Sequence, residues 1–259
     1  MSQQPKIFIS FDIEEFDLPE EYGGVISDDD KISIPALGTT RILDVLASKK
    51  CHATFFCTFY FAERQPDLIK RMVSEGHEIA SHGMNHTTFH IDDLRESREK
   101  LEKMSGVPVK GFRMPRLGKA NAEDVFKAGY SYESSINPTW LPGRYNHLAV
   151  SRRPFKEKCG LRQYSISVTP FLRFPLFWLS YKNLPLFLYK RLAGFSARRL
   201  GFFNLYLHPW EFNERCRESQ WRIPSYVTRH AGIAYMKRLS NFIDYMSKNG
   251  NFCLMGNLQ

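Results

Sequence analysis

The stretch that decides the fold is ATFFCTFYFAERQPDLIKRMVSEGHEIASHGMNH, residues 53–86. It begins with the apolar run Ala53–Cys57, which predicts a buried strand. Pro66–Glu75 then predicts a helix, because a proline opens it and Gly76 follows it. Glu78–Ser81 predicts a second short strand, and polar residues follow at once. A strand, a helix and a strand in this order are typical of a parallel sheet covered by helices.

The same alternation extends on both sides of this stretch. Upstream, Lys6–Phe11 predicts a buried strand and Pro35–Ser48 predicts a helix. Downstream, the pattern predicts helices at Asp92–Met104, Asn121–Ala128 and Val227–Met246, and strands at Gly111–Met114, Ser131–Ser134, Phe203–Leu207 and Phe252–Met255. The sequence therefore indicates an α/β fold with a mainly parallel sheet. By itself the pattern does not separate an open sheet from a barrel.

A single domain accounts for the whole chain. Its 259 residues are long for one average domain and short for two, and they suit one α/β barrel. We therefore interpret residues 1–259 as one domain. The alternation breaks around residues 137–201, where proline, aromatic residues and arginine are frequent, and we interpret that region as an irregular elaboration.

Charge and cysteine content narrow the classes of partner and compartment. The chain has 36 Lys and Arg against 27 Asp and Glu, a net charge of +9, which suits an anionic partner. No nucleic-acid motif or basic tail is present, so we expect no nucleic-acid partner. The five cysteines form no CxxC pair, which predicts free thiols in a reducing compartment. Met1–Ile9 has no long apolar run, and no stretch approaches the roughly 20 apolar residues of a spanning helix. We expect a cytoplasmic protein without a signal peptide, at most peripheral to the inner face of a membrane.

Polar side chains follow four of the predicted strands, which is where parallel α/β folds place their chemistry. Asp12 and Glu14 end the first strand and, two residues apart, point to the same side of an extended chain. His82 and His86 follow Glu78–Ser81 and can meet on one metal if the segment turns helically. His208 ends the run before Pro209, and Arg113 ends another strand.

These residues are an inventory for metal-assisted hydrolysis. Two imidazoles and a carboxylate suit a catalytic zinc ion with open positions, and iron, cobalt and nickel stay open. A further aspartate and a further histidine supply a base and an acid. Any one cluster alone is more often a capping or packing residue, whereas four in order at strand ends favour a site.

The order of these motifs resembles the polysaccharide deacetylase family, carbohydrate esterase family 4, with its nodulation-type deacetylase domain. The most specific segments are Ala53–Phe56, Gly76–His82 and His86, which look like the family's second motif and the strand before it. Tyr132–Ser135 and Leu207–Glu211 look like a bacterial subgroup linked to surface-polysaccharide synthesis. The resemblance runs from about Ile7 to Glu211 and implies a distorted (β/α) barrel with seven or so parallel strands.

The resemblance also implies a role for each residue of the inventory. It makes Asp12 the catalytic base and Arg113 the arginine that orients it, His82 and His86 the metal histidines, and His208 the general acid. The usual pair of adjacent aspartates is absent, because Ile13 follows Asp12, so Glu14 becomes the expected metal carboxylate.

Three further residues are assigned to substrate binding. Arg116 stands where many relatives have an aromatic residue, which points to an acidic or phosphorylated substrate. Glu133 stands where an aspartate is commoner and is expected to pair with Arg113. Trp210, in the last motif, completes the set.

The function that follows is metal-dependent N-deacetylation of a carbohydrate, with a lipid-linked or surface-polysaccharide precursor sugar as the natural substrate. Two alternatives stay open: an amide hydrolase for a non-sugar or formylated substrate, and a non-catalytic carbohydrate or lipid-surface binder with the same fold. The segment Pro170–Arg199 mixes aromatic and basic residues, which fits either a membrane interface or a layer covering the barrel.

Four other polar or reactive residues are interpreted as structural. We expect His77 to pack and hydrogen-bond beneath the site, and Glu15 and Asp17 to solvate the loop after the first strand. Cys57 is expected in the core, because nothing near it marks it as activated.

Overall fold

A curled, mostly parallel sheet forms the centre of the molecule, seen in a computed structural model that describes residues 4–258. Part of Met1–Ile9, where no signal peptide is expected, lies outside the described residues. The strands are β1 (Lys6–Ile13), β2 (Thr54–Cys57), β3 (Glu78–Ser81), β4 (Gly111–Phe112), β5 (Tyr132–Glu133), β6 (Trp140–Leu141), β7 (Tyr145–Asn146), β8 (Phe155–Lys156), β9 (Arg162–Gln163), β10 (Phe202–Leu207) and β11 (Asn251–Phe252).

The order of the strands in the sheet is β10-β1-β2-β3-β4-β5-β9-β8, and β11 lies beside β1. All neighbours from β10 to β9 are parallel, and β8 is antiparallel to β9. After β9 the chain returns to β10, where Ser167 donates its N–H to the carbonyl of Asn204. Seven parallel strands along this order, with β11 also parallel to β1, form a curled sheet among the described residues and confirm the expected distorted (β/α) barrel.

Helices cover the outside of this sheet. They are α1 (Leu18–Glu21), α2 (Asp28–Ser48), α3 (Phe59–Arg64), α4 (Pro66–Ser74), α5 (Asp93–Ser105), α6 (Ala122–Lys127), α7 (Trp178–Asn183), α8 (Leu186–Leu200), α9 (Ser225–Thr228) and α10 (Ile233–Met246). Short 3-10 helices lie at Pro115–Leu117, Pro209–Phe212, Glu214–Arg217, Ser219–Trp221 and Met255–Asn257. The buried apolar residues between sheet and helices form one main core.

Helix α2 is longer than the sequence predicts, because Pro35 lies inside it and does not begin it. Ser27 caps its first turn by accepting the N–H of Asp30. A proline lacks the N–H that would bond the carbonyl four residues back, here that of Lys31. Phe16 donates its N–H to that carbonyl at 2.9 Å, so the helix continues through the proline.

Two other predicted boundaries are wrong. The region 137–201 is less irregular than expected, because its last third forms α7 and α8 and only the earlier part consists of short strands and loops. The helix predicted at Val227–Met246 is split into α9 and α10. His230 and Gly232 have φ angles of 63° and 84°, and this left-handed backbone interrupts the helix.

The carboxyl ends of the parallel strands bring the candidate residues to one edge. Asp12 is the second-last residue of β1, His82 follows β3, Arg113 follows β4, and His208 follows β10. All four side chains are buried. The sheet therefore assembles at one edge residues that lie nearly 200 positions apart in the chain.

Candidate active site and metal centre

Glu14, His82 and His86 converge on one point. The Oε2 atom of Glu14 lies 3.1 Å from Nε2 of His82 and 3.1 Å from Nε2 of His86. One ligand atom from each of the three lies within 4.8 Å of the others. The two imidazole rings stack with centroids 5.9 Å apart. Three nitrogen and oxygen donors at this spacing can hold one divalent cation with positions left for water and substrate.

The opposite ring nitrogens of both histidines are already hydrogen-bonded. Nδ1 of His82 lies 2.8 Å from the carbonyl oxygen of Arg113, and Nδ1 of His86 lies 2.9 Å from both carboxylate oxygens of Asp17. A carbonyl and a carboxylate accept hydrogen bonds, so Nδ1–H donates in each ring. The Nε2 lone pairs are then directed at the cluster, as metal-binding imidazoles require.

The electrostatics of the cluster also suit a cation. Burial raises the pKa of Glu14, but the charge of His86 and the close contact with His82 outweigh it and lower the pKa to about 2. Burial lowers the pKa of His86, but Glu14 and Asp17 outweigh it and raise the pKa to about 9. The carboxylates thus favour a positive charge at this point, which a bound divalent ion would supply in place of a proton on His86. The donor set and its charge both fit a divalent metal ion.

Asp12 is held by a fully buried arginine. The guanidinium of Arg113 donates to Asp12 Oδ1 at 2.5 Å and to the hydroxyl of Ser10 at 3.0 Å. Its remaining donors bond the carbonyl and the hydroxyl of Ser134 at 2.8 and 2.9 Å. Within residues 4–258, no donor is bonded to the second carboxylate oxygen of Asp12. That oxygen is available to accept a proton.

His208 is positioned by a carboxylate three residues further along the chain. Oε2 of Glu211 accepts the backbone N–H of His208 at 2.7 Å and lies 3.4 Å from its Nδ1. The Nε2 atom of His208 is 4.0 Å from Oε1 of Glu14. Burial lowers the pKa of His208, but the nearby carboxylates of Glu211 and Glu14 outweigh it and raise the pKa. The imidazole thus lies beside the metal cluster, next to carboxylates that favour its protonated form.

A buried lysine supports Glu211 in turn. Nζ of Lys182 lies 2.7 Å from Oε1 of Glu211, and both side chains are wholly buried. The same ammonium donates to the carbonyl of Val227 at 2.7 Å. The hydroxyl of Tyr235 donates to Glu211 at 3.0 Å. Burial raises the pKa of Glu211, but Lys182 outweighs it and lowers the pKa, so the carboxylate stays ionised.

Asp12, Glu14, His86 and His208 line one cavity of about 140 Å³ at the carboxyl ends of the strands. The rest of its lining includes aromatic residues and an arginine, namely Tyr22, Arg144, Tyr145, Phe177, Trp178 and Tyr206. A larger groove of about 470 Å³ lies beside Lys6 and Phe202, at the opposite ends of the strands, and contains none of the candidate residues. The candidate residues are thus gathered around the smaller cavity.

The three expected substrate residues differ in where the structure places them. Arg116 lines the cavity, but Asp17 and Glu21 already pair with its guanidinium at 3.0 and 2.6 Å. Trp210 also lines it, and its ring stacks on His208 with centroids 5.3 Å apart. Trp210 therefore packs against His208, the candidate acid.

The expected pairing of Glu133 with Arg113 is wrong. Glu133 is buried away from the cavity and accepts a hydrogen bond from Gln163 at 2.8 Å. Successive side chains along a strand point to opposite faces, so Ser134, and not Glu133, lies on the face of Arg113.

Part of the chain is similar to a known family. Residues 25–131 match the family model described as "Polysaccharide deacetylase". Over these residues, which are less than half of the chain, the sequence is similar to that family. A chitooligosaccharide deacetylase of Sinorhizobium fredii is 50% identical over 65 residues, which are 25% of this chain and 30% of that relative. A peptidoglycan-N-acetylmuramic acid deacetylase of Bacillus subtilis is 39% identical over 75 residues, which are 26% of this chain and 28% of that relative. The chain thus spans less than a third of the length of these curated relatives.

Similarity to solved structures extends over nearly the whole chain. A structure described as a "probable Polysaccharide deacetylase" from Pseudomonas aeruginosa has a TM-score of 0.66 and 15% sequence identity, and the match covers 95% of this chain and 86% of that one. At this identity the match shows the fold of the family and nothing of the substrate. It confirms the expected fold class.

Three residues of the site were not identified from the sequence. Asp17 is no loop-solvating residue, because it is buried and bonds His86. Its signal was available, since a metal-binding histidine needs an acceptor for its second nitrogen. Glu211 lies within a recognised motif and its spacing of three from His208 was a signal. Lys182 gave none, because nothing in an aromatic segment marks a lysine as buried.

The residues expected to be structural are otherwise placed in the core. His77 accepts the N–H of Ala53 at its Nδ1 and packs against Phe55, at the start of β3 and far from the carboxyl edge. Cys57 is fully buried, and burial raises the pKa of its thiol. Neither residue takes part in the candidate site.

Proposed function

We propose that this chain is a metal-dependent hydrolase that removes the N-acetyl group of a carbohydrate, a reaction at a linear amide bond. The observation that carries the proposal is the convergence of Glu14, His82 and His86 beside Asp12 and His208 in one cavity. Similarity to a family model and to curated relatives that are carbohydrate deacetylases supports the acetylated sugar as the substrate class.

Glu14, His82 and His86 would hold the ion. A bound divalent ion supplies a Lewis acid for the acetyl carbonyl and lowers the pKa of a coordinated water. Zinc suits two imidazoles and a carboxylate best, and iron, cobalt and nickel suit the same donors. Reconstitution of the metal-free chain with each ion, followed by metal analysis and by acetate release, ranks them.

The chain's own residues perform the proton transfers. Asp12 accepts a proton from the attacking water at its second carboxylate oxygen, while Arg113 fixes the carboxylate in place. His208, held by Glu211, donates a proton to the sugar nitrogen as the C–N bond breaks. The backbone N–H of Arg116 is the proposed donor to the oxyanion. The products are acetate and an amino sugar.

The natural substrate is proposed to carry an anionic substituent, as a lipid-linked or surface-polysaccharide precursor sugar does. Arg144 lines the cavity, and within residues 4–258 it has no carboxylate partner. Arg116 is less suited to this role than the sequence suggests, because two carboxylates already neutralise it. An N-acetyl sugar with a 1-phosphate should therefore have a lower KM than the free sugar, and Arg144→Gln should remove that difference.

The proposed location is the cytoplasmic face of the membrane, where such precursors are built. All five cysteines are free, namely Cys51, Cys57, Cys159, Cys216 and Cys253, which supports a reducing compartment. Among the described residues, no helix is long and apolar enough to cross a membrane. Fractionation of cells that express the chain tests the location.

The test of the function is acetate release from a panel of acetylated sugars, formylated sugars and ureides, with the metal-loaded chain. We expect loss of one acetyl mass from acetylated sugars. Asp12→Asn should abolish turnover and leave metal content unchanged, and His208→Ala should slow it by roughly 10²–10⁴-fold. His82→Ala with His86→Ala should remove both metal and activity. Faster turnover of formylated sugars or ureides would assign the chain to another amide substrate, and release by none of them would favour a binding protein.

A further inference from the structure

The net positive charge of the chain comes from one segment that has few acidic residues. Residues 134–210 contain 12 of the 36 Lys and Arg but one of the 27 Asp and Glu, a net charge of +11, so the remaining residues together carry −2. Burial and the neighbouring Arg152 lower the pKa of Arg173 within this segment. Within residues 4–258, no carboxylate pairs with Arg144, Arg152, Arg173 or Arg191. The segment therefore presents a positive potential that the chain itself does not neutralise.

The same segment exposes large apolar side chains that the fold leaves uncovered. Leu172 is 90% exposed and Phe171 is 73% exposed, at the tip of the turn between Thr169 and Phe174. Phe187 is 62% exposed in the first turn of α8. We call this set the apolar rim, and it consists of Phe171, Leu172, Phe174, Phe187 and Leu188.

The two parts of the rim, the turn and the start of α8, are connected along one side of that helix. The ring of Phe171 lies 6.2 Å from that of Phe195 on α8. Phe187, Arg191 and Phe195 follow each other at intervals of four residues and therefore share one side of that helix. Arg191 thus lies between two aromatic side chains. Apolar and cationic groups alternate along the surface.

The tip of the rim is held rigidly in place. Arg173 has a φ angle of 52°, and its guanidinium donates to the carbonyls of Pro138 and Val150, both at 2.9 Å. The hydroxyl of Thr139 donates to the carbonyl of Arg173 at 2.7 Å. Thr169 closes the turn by hydrogen bonds to Phe174 in both directions. Phe171 and Leu172 are therefore exposed on an ordered turn, and little conformational entropy is lost when they insert into a partner.

The rim adjoins the mouth of the cavity. Phe177 and Trp178 line the cavity and follow Phe174 by three and four residues. The hairpin of β6 and β7, which brings Arg144 and Tyr145 to the cavity, is joined to the same turn through Arg173. A partner on the rim therefore lies next to the opening through which substrate enters.

We propose that the apolar rim docks on the surface of an anionic phospholipid membrane. Charge complementarity selects this partner, because cations interleaved with rings suit headgroup phosphates above an acyl boundary. The rim is a projecting turn and a helix end, which insert to a shallow depth. The segment Pro170–Arg199 contains both a covering layer and an outward-facing surface. Leu176, Tyr181 and Tyr189 are fully buried in the core, whereas the rim faces outward.

The test is co-sedimentation with phosphatidylcholine vesicles that contain or lack phosphatidylglycerol, at low and at high salt. The chain should bind the anionic vesicles at low salt, and binding should weaken as salt rises. Phe171→Ser with Leu172→Ser should weaken vesicle binding at least about tenfold, since two apolar side chains that insert into the membrane are lost. Arg191→Glu should weaken binding to anionic vesicles in the same direction. The measurement needs no substrate, so its failure leaves the proposed hydrolysis untouched.

The matched control is Ile91→Ser with Phe126→Ser, which removes two apolar side chains that are 54% and 44% exposed away from the rim. It should bind vesicles as the unchanged chain does. Thermal unfolding of each variant verifies that it is folded. The proposal is overturned by absence of binding at low salt, by equal binding to neutral vesicles, or by an equal loss in the control. It is also overturned if the unchanged chain forms a dimer that the rim variant does not form, because the rim is then covered by a second copy.

Discussion

Asp17 determines the orientation of one metal-binding histidine without reaching the metal position itself. Both of its carboxylate oxygens lie 2.9 Å from Nδ1 of His86, and Arg116 holds the same carboxylate at 3.0 Å. The carboxylate therefore fixes both the tautomer and the plane of the ring. At the scale of single residues, metal binding therefore depends on the contact between Asp17 and His86 as well as on the three ligands.

The first prediction concerns this contact. Asp17→Asn should weaken metal affinity by about 10–100-fold, because the amide no longer polarises His86. Competition with a chromophoric chelator measures the affinity directly and requires no substrate. Glu15→Gln is the matched control: Glu15 is also buried beside the site, but its carboxylate accepts from the hydroxyl of Thr58. Equal affinities for both variants would show that Asp17 does not orient the ligand.

At the scale of elements, α2 touches the segment that carries His208 with no side chain between them. A Cβ atom on Gly38 would lie 1.9 Å from the carbonyl oxygen of Pro209. Glycine is normally the weaker residue inside a helix. Here it allows the helix to approach the backbone next to the candidate acid, so the helix sets the position of His208.

The second prediction follows from this approach. Gly38→Ala should lower the free energy of unfolding by roughly 1–3 kcal/mol, because the cost of overpacking exceeds the gain in helix propensity. It should also slow acetate release by displacing His208. Gly194→Ala is the control, since a Cβ at Gly194 meets the flexible ends of Tyr245, Asn249 and Arg198. Urea titration of the two variants compares them, and a stabilised Gly38→Ala protein would contradict the argument.

The ion pair of Lys182 and Glu211 joins α7 to the 3-10 helix that follows β10. The ammonium also lies 4.9 Å from the ring centroid of Trp210 and 4.8 Å from that of Tyr235. Burying two charges is costly, and the pair is tolerated only because each charge has several partners. The removal of one charge is therefore more damaging than the removal of both.

The third prediction tests this asymmetry. Lys182→Met should lower the free energy of unfolding by about 3–5 kcal/mol, because it leaves Glu211 ionised and unpaired in the core. Lys182→Met with Glu211→Gln should regain more than half of that loss. Denaturant unfolding followed by tryptophan fluorescence gives both values. If the double variant is no more stable than the single one, the charge of Glu211 is not the cause of the loss.

At the scale of the whole molecule, the two ends of the sheet differ in their electrostatic environment. The carboxyl edge gathers charged groups around a cation site, whereas the region near the start of β3 buries a neutral imidazole. Burial and the neighbouring His52 lower the pKa of His77 to about 4. Glu75 lies 3.7 Å from its Nε2, too far to offset the desolvation of a charged ring.

The fourth prediction is a pH dependence of global stability. The unfolded chain protonates His77 near its ordinary pKa of about 6.5, whereas the folded protein protonates it only near pH 4. Between these values the unfolded state binds more protons, so stability is full above about pH 6.5 and falls as the pH drops towards 4. His77→Phe should remove about 1–2 kcal/mol of the difference in unfolding free energy between pH 7.5 and pH 5. Urea titrations at both pH values, with and without the substitution, measure this, and an unchanged difference would contradict the assignment.

Local patterns in the sequence determined the elements and their order. The alternation of short apolar runs with helical segments predicted the parallel sheet, and β1, β2, β3 and β10 lie within one or two residues of their predicted bounds. Polar residues directly after these strands marked the edge where Asp12, His82 and His208 meet. These features depend on short-range periodicity, and a strand end shows in the sequence wherever a buried run stops.

Long-range contacts were decided only by the tertiary structure. Pro35 lies inside α2 because Phe16, nineteen residues earlier, donates its N–H to the carbonyl of Lys31, which the proline leaves without a donor. No local pattern encodes that bond. Ser134 replaces Glu133 beside Arg113 because strand alternation fixes which side chain faces inward. Lys182 reaches Glu211 across 29 positions, and a buried charge is recognisable only once the residues that surround it are known. The sequence specifies which groups are present, but desolvation and pairing depend on neighbours that the fold alone brings together.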